Sequence, residues 1–368
     1  MLDRDELAAW LRLTETPKLG RASARRLLAA FGSPQAVLAA PAAARREVVG
    51  PTAAAALATP PDHFASRLDA TLAWLDAPGA APRTVVALGD PDYPPLLLEA
   101  ADPPLLLHLE GRFGLLRAPS IAIVGSRHAT PQGLENARAF ARHLSRAGLT
   151  VVSGLALGID AAAHEGALEE AGGTVAVVGT GLDMAYPRRN QALFRRIAEA
   201  GLLVSEHSLG TPPLAEHFPE RNRIIAGLSR GTLVVEAALQ SGSLITARLA
   251  SEAGREVFAI PGSIHAPQSR GCHALLKQGA KLVEVADDVL SELRFEPVPR
   301  PSEAAPAAAA SKEDPVLAAL GHDPATLDAL VARTGWPAAE LNAKLLELEL
   351  AGQVARLPGQ LFQRLGRA

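Results

Sequence analysis

The sequence predicts a doubly wound α/β sheet at the centre of the chain, with a helical module before it and a winged-helix module after it. Three observations carry the prediction. From Ser120 onward, short apolar runs alternate regularly with amphipathic stretches, as strands and covering helices do in a parallel sheet. Residues 1–80 are alanine-rich and helix-forming, with no convincing strand. After a proline- and alanine-rich stretch at 297–315, the C-terminal residues read as three helices and a hairpin.

The bounds are consistent with that division. A chain of 368 residues holds two or three domains at roughly 100–200 residues each. Hydrophobic residues make up 48% and aromatics only 4%, so the core is built mostly from Ala, Leu and Val. A net charge of −3 excludes a protein that is basic overall, and any nucleic-acid site must be a local patch. The single cysteine, Cys272, excludes an internal disulfide and the usual zinc cluster. No charged leader precedes an apolar core, and no apolar run reaches membrane length. The expectation is a soluble, cytoplasmic chain with no metal and no cofactor.

In the N-terminal module, a helix leads to a tight turn at Lys18-Leu19-Gly20, a second helix over 22–31, and Gly32-Ser33-Pro34 opening a third. The pattern resembles a helix-hairpin-helix, in which turn N–H groups grip a phosphate. Its usual second glycine is missing, because Arg21 follows Gly20. A packing or docking role is at least an equal reading, and Arg21, Arg25 and Arg26 also fit a solvated helix face. From 84 to 116, turn signals at Asp90-Pro91 and Asp102-Pro103-Pro104 surround short apolar runs. This stretch reads as an extension packed on the edge of the next domain.

Strands are expected at 121–124, 150–152, 175–178, 202–205, 232–235, 256–260 and 281–285. Helices fall between them, such as 134–147 with Leu134, Ala137, Phe140, Ala141 and Leu144 on one stripe. The apolar strands predict a sheet covered on both faces. Beyond the linker, helices at 316–320, 325–334 and 337–351 and a hairpin around Pro358-Gly359 complete the winged-helix pattern. From Asp314 onward five basic residues face six acidic ones. The phosphate term dominates nucleic-acid affinity, so this balance favours protein contact for that module.

Five strand ends carry small, polar or cationic turns. Gly125-Ser126-Arg127 follows the first strand and brings a cation to the crevice where open α/β sheets hold ligands; an arginine clasping a carboxylate is the competing reading. The dinucleotide pattern GxGxxG is absent. Ser153-Gly154 through Asp160 follows the second strand, where Asp160 reads as a cap and His164 as a satisfied histidine rather than an acid–base pair. Gly179-Thr180-Gly181 follows the third, with Tyr186-Pro187 and Asn190 beyond it. Ser241, Gly242 and Ser243 open a helix after the fifth strand and form an anion-binding nest or an ordinary N-cap. Pro261-Gly262-Ser263 closes the series. No nucleophile–base pair or metal constellation stands out, which favours binding over catalysis.

The densest stretch is Phe218-Pro219-Glu220-Arg221-Asn222-Arg223, anchored by Ile224 and Ile225. Pro219 biases Phe218 away from helix, so the helix is expected to start near Glu220 or Arg221. Both arginines then lie in its first turn, against the helix dipole, and something negative is expected there. A salt bridge to Glu220 or Glu236 and a bound anion are equal readings of the residues alone.

These motifs in this order resemble the DprA (Smf) family of DNA-processing proteins: GSR at 125–127, SGLALGID at 153–160, FPERNRIIAGLS at 218–229, VVEAA at 234–238, SGSLITA at 241–247 and PG at 261–262. The resemblance implies an extended Rossmann-like domain over 84–295, a helical module of the SAM or helix-hairpin-helix kind over 1–80, and a winged-helix module over 316–368. It also implies a non-catalytic, homodimeric protein that binds and protects incoming single-stranded DNA and loads RecA onto it in natural transformation. Carried over, Arg127 would hold a phosphate with backbone room from Gly125 and Ser126. Gly154, Phe218, Arg221, Asn222 and Arg223 would line the strand path, and Ser241, Gly242 and Ser243 would take a further phosphate. Some members carry a lysine just before the aromatic where this chain has Ala215-Glu216-His217, so positive potential must come from elsewhere. An asparagine more often follows the cysteine where His273 stands here, which leaves the role of His273 open.

A second hypothesis is a nucleotide-processing hydrolase of the Rossmann phosphoribohydrolase type. Its Pro-Gly-Gly turn before a catalytic Glu is missing here. A third, a transcription regulator acting through the C-terminal module, is disfavoured by that module's charge.

Overall fold

The computed structural model describes residues 2–296, 314–321 and 324–365. Five helices open the chain: α1 (Arg4–Glu15), α2 (Arg21–Phe31), α3 (Pro34–Ala39), α4 (Ala42–Ala56) and α5 (Phe64–Asp76). The extension supplies β1 (Arg83–Ala87), α6 (Pro95–Leu98) and β2 (Leu106–Gly111). The alternation then runs β3 (Ser120–Val124), α7 (Pro131–Ala147), β4 (Thr150–Ser153), α8 (Ile159–Leu168), β5 (Thr174–Val177), α9 (Gln191–Ala200) and β6 (Leu202–Ser205). It continues with α10 (His217–Leu228), β7 (Gly231–Val234), α11 (Ser243–Glu252), β8 (Glu256–Ala259), α12 (Arg270–Lys277), β9 (Lys281–Leu282) and α13 (Ala286–Glu292).

These strands form one nine-stranded sheet in the order β1-β2-β6-β5-β4-β3-β7-β8-β9. Strands β3 to β9 pair in parallel, whereas β1–β2 and β2–β6 are antiparallel. The extension therefore lengthens one edge of the sheet, as expected. One face carries Ala122, Val124, Val152 and Val177 against Ile224, Ile225 and Leu228 of α10. The other carries Ile121, Ile123 and Val151 against α7, α8 and α13. Alternation along buried strands thus feeds two cores.

The N-terminal helices are not a separate body. Leu7, Leu11, Leu13, Leu27 and Trp74 share one core with Val85, Leu106, Ala176 and Leu203 of the sheet and with Phe194 and Ile197 of α9. The C-terminal residues build their own core, with Val316, Leu330, Leu341, Leu345 and Phe362 fully buried. It is formed by α14 (Pro315–Leu320), β10 (Ala325–Thr326), α15 (Leu327–Thr334), α16 (Ala338–Leu350), β11 (Val354–Leu357) and β12 (Leu361–Arg364). The expected hairpin is β11–β12, joined by the short β10. The expected linker at 297–315 lies outside the described residues except for its last two positions.

Two expectations are corrected. The last sheet strand ends at Leu282, not 285, because Asp288 Oδ2 accepts from the backbone N–H groups of Glu284 and Val285 at 2.9 and 3.0 Å and turns the chain into α13. Helix α10 starts at His217, so Pro219 stands inside its first turn and the two arginines follow it. A first-turn proline breaks nothing, because its missing N–H would have had no intrahelical partner.

Three histidines make the fold acid-sensitive. Burial holds His108 down to about 4, and both its ring nitrogens are buried without a partner among the described residues. Burial, with Arg221 adding to it, holds His164 at about 3. Burial, with His217 adding to it, also holds His207 at about 3. The unfolded chain takes up protons at these positions near pH 6.5, well before the folded chain does. Stability must therefore fall as pH drops from about 6.5 towards 4, by on the order of 2 kcal/mol per histidine at about pH 4.5. Urea midpoints across that range should decline, and His108→Leu should flatten the decline; equal midpoints would contradict this.

Candidate functional site

The strand order reverses at β3, with β4, β5 and β6 on one side and β7, β8 and β9 on the other. Open sheets leave a crevice beyond the carboxyl ends of strands at such a switch point. Here it encloses about 430 Å³, lined by Gly125, Ser126 and Arg127 after β3, by Phe218, Arg221 and Asn222 of α10, and by Ser241, Gly242 and Ser243 after β7. Gly154 lies in an adjoining cavity of about 110 Å³ that also touches Arg127, Tyr186 and Phe218. Of the sequence-predicted residues only Arg223 faces elsewhere.

The β3 turn is fixed from both sides. Ser126 N–H donates to Glu236 O at 2.7 Å, and Ile159 N–H donates to Ser126 O at 3.2 Å. A Cβ on Gly125 would stand 2.6 Å from Ile159 Cγ1 and 2.8 Å from Glu236 O, which only glycine avoids. Arg127 projects from this rigid turn, exposed and without an ion-pair partner among the described residues.

Arg221 behaves differently. It is buried, and its Nη1 donates to Gly154 O at 2.6 Å and to Val177 O. These carbonyls lie at the ends of β4 and β5, so the guanidinium ties α10 across two strands. Asp160 supplies the compensating charge; its Oδ2 also accepts from Gly154 N–H at 3.1 Å and Ala156 N–H at 3.3 Å. Burial pushes Arg221 down to about 10 against the pull of Asp160, so it stays charged at neutral pH. Burial raises Asp160 while Arg221 lowers it. A side chain on Gly154 would collide with the guanidinium.

Glu236, His164, Glu220 and Arg223 are committed to structure as well. Glu236 accepts from Thr130 Oγ1 at 2.6 Å and from its N–H at 2.9 Å, at the start of α7. His164 Nε2 accepts from Leu155 N–H, and its Nδ1 meets Thr174 Oγ1 at 2.7 Å, the satisfied histidine expected. Glu220 pairs with Arg21 at 3.2 Å, and Arg223 with Asp102 at 3.0 Å and with Glu206. Neither α10 arginine meets Glu220 or Glu236: Arg221 donates to carbonyls, with the charge of Asp160 nearby, and Arg223 meets Asp102 and Glu206. Helical phase explains the separation, since positions two apart point about 200° from each other.

At the far wall, Ser241 Oγ and Ser243 Oγ lie 2.7 Å apart, and Asn222 Nδ2 donates to Gly242 O at 3.4 Å. Ser243 opens α11 without a side-chain cap, but its N–H reaches Ser241 Oγ at 3.4 Å, and Leu244 and Ile245 N–H donate to Ser241 O and Gly242 O, both at 3.1 Å; the turn therefore presents the two serine hydroxyls to the crevice. Phe218 stacks on Tyr186, with ring centroids 5.3 Å apart and planes at 29°. Sequence reasoning left Tyr186 out of the site, although its place directly beyond a strand-end turn was the available signal. It also passed over Arg188 and Arg189 beside it and Arg195 and Arg196 on α9, all exposed without an ion-pair partner among the described residues. On α7, by contrast, Arg138, Arg142 and Arg146 all meet glutamates.

Sheet, switch-point crevice and unpaired arginines together define a Rossmann-like protein whose open site complements an anionic ligand. The family described as DNA recombination-mediator protein A matches residues 84–294, and the DprA winged helix domain matches 299–360. The chain belongs to that DprA family. Protein Smf of Escherichia coli is 44% identical over 313 residues, 82% of each chain. The X-ray structure of DNA processing protein A from Streptococcus pneumoniae superposes with a TM-score of 0.68 at 38% identity, covering 79% of this chain and 98% of that one. DNA processing protein A from Helicobacter pylori, in a structure described for its single-stranded DNA binding mode, gives 0.54 at 31% identity over 59% of this chain and 97% of its own. Among the described residues no helix is long and apolar enough to cross a membrane.

If Arg221 is a structural tie, its loss takes a donor from the Gly154 and Val177 carbonyls and leaves the buried Asp160 without its nearby counter-charge. Arg221→Ala should lower unfolding stability by about 3–5 kcal/mol, read from urea unfolding. A change within experimental error would show that the guanidinium holds nothing together.

Proposed function

We propose that the crevice binds single-stranded DNA. Backbone phosphates sit on Arg127 and on the Ser241-Gly242-Ser243 turn, with Gly125 and Ser126 giving close backbone approach. Bases rest against Phe218 and Tyr186, and Asn222 joins the two walls. Arg221 and Gly154 form the floor. The strand continues over Arg188 and Arg189, which supply positive potential where some members of the family carry a lysine before the aromatic. One observation carries the reading: Arg127 stands unpaired at the switch point of a chain whose other crevice arginine is buried. Aromatic stacking and phosphate contacts together suit a sequence-tolerant single-strand binder.

Family membership supports the wider role. In it the protein acts in the cytoplasm as a homodimeric recombination mediator, protects incoming strands and loads RecA onto them in natural transformation. It works without catalysis or cofactor. The hydrolase alternative needs a free carboxylate near the nest, and Glu236 is instead bound to Thr130. Turnover of nucleoside monophosphates by the purified chain would reverse that preference.

Arg127→Ala should weaken single-strand binding for all sequences alike and reduce the dependence of log K on log salt by about 0.7. Phe218→Ala should cost about 1–3 kcal/mol with the salt slope unchanged. Salt-titrated fluorescence anisotropy reads both. Unchanged affinity in a folded Arg127→Ala protein would remove this residue from the site.

A further inference from the structure

The arginines of the helical module have a use that neither a phosphate grip nor a solvated face describes. Asp102, between α6 and β2, accepts from Arg21 Nε at 2.8 Å and from Arg25 Nη1 at 2.6 Å, both on α2. It also accepts from Arg223 Nε at 3.0 Å, on α10. Arg21 reaches on to Glu220 in the first turns of α10, and Arg223 reaches Glu206 just beyond β6. Three guanidiniums and three carboxylates thus join the helical module, the extension and α10.

The network sits where α10 most needs support. Its first turn has no side-chain cap, Pro219 has no N–H, and Glu220 N–H reaches Glu216 O only at 3.4 Å. Yet this turn carries Phe218, and the next carries Arg221 and Asn222. Arg223 points away from the crevice, with only 12% of its side chain exposed, and Glu206 exposes 7%. Arg223 Nη1 and Glu206 Oε1 are buried without partners among the described residues, so the pair has little to fall back on if Asp102 is lost. Removing one member of such a cluster leaves uncompensated charge. Burial works to raise Asp102, but the bonds from Arg25 and Arg21 hold it down at about 2, so it is ionised throughout the physiological range.

We propose that Asp102 is a positioning residue for strand binding: it locks α2 of the helical module to α10, so that the module sets the crevice geometry without itself touching DNA. The proposal rests on the single-strand reading above. It gives Arg223 a role on the back of the binding helix, and it commits Arg21 and Arg25 to protein contact.

The test compares the full-length protein with Asp102→Asn and Asp102→Glu, using a fluorescent oligothymidylate over a range of salt and hydrogen exchange of residues 217–228. Asp102→Asn should weaken binding by about fivefold, roughly 1 kcal/mol, with an unchanged salt slope and faster exchange in 217–224. Asp102→Glu should restore most of both. If Asp102→Asn folds poorly, Arg25→Ala, which removes one of three donors, should shift both readouts the same way by less. Wild-type affinity and exchange in folded Asp102→Asn would overturn the proposal, reducing the network to docking the module. Tighter binding with a steeper salt slope would also overturn it, by showing that the freed arginines grip DNA. If the wild-type chain binds no oligothymidylate, the functional reading fails on its own. Exchange then decides: faster exchange in 217–224 supports the lock, and unchanged exchange overturns it.

Discussion

A buried guanidinium holds the working edge of this fold in place. Arg221 reaches under the crevice to the carbonyls that end β4 and β5, and Asp160 balances its charge from the start of α8. Taking such an ion out of water costs several kcal/mol unless its hydrogen bonds and counter-charge are well placed. Here they are supplied by three elements at once, so those elements must be assembled together for the ion to be tolerated. The same constraint makes Gly154 a glycine. The crevice floor is therefore a rigid structural tie, and in the proposed function recognition falls to the groups standing above it.

Those groups are distinguished by how charge is distributed over the molecule. On α7 each of three arginines is matched by glutamates, and on the back of α10 three arginines meet three carboxylates. Arg127 in the crevice, and Arg188 and Arg189 next in sequence to Tyr186 and Pro187 of the adjoining cavity, have no such partner among the described residues. A chain with a net charge of −3 can present a polyanion site only by this kind of local surplus. Surface pairs contribute little to stability, so leaving these three unmatched costs the fold little.

Much of this was legible in the sequence. Strands β3 to β8 are apolar on both faces, and that pattern announces a covered parallel sheet whatever the neighbours are. That Gly125, Arg127, Phe218 and Ser241–Ser243 line one crevice was legible because each follows a strand end or stands in the first turn of a helix. What stayed hidden depends on long-range partners. Arg223 looked like a ligand beside Arg221, but its partner Asp102 lies 121 positions away, and only the fold reveals that the two arginines face opposite ways. The start of α10 was misplaced because a proline's usual bias on its predecessor was overridden in a first turn. Tyr186 was passed over because its value comes from stacking on Phe218, a contact no local pattern encodes.

The central claim, that the switch-point crevice is where a single strand lies, is tested most directly by photo-crosslinking. An oligothymidylate carrying a photoreactive base should crosslink to peptides containing Tyr186 and Phe218, and excess unlabelled single strand should suppress the signal. Crosslinks confined to the C-terminal module or to α2, with none at 186 or 218, would contradict the account.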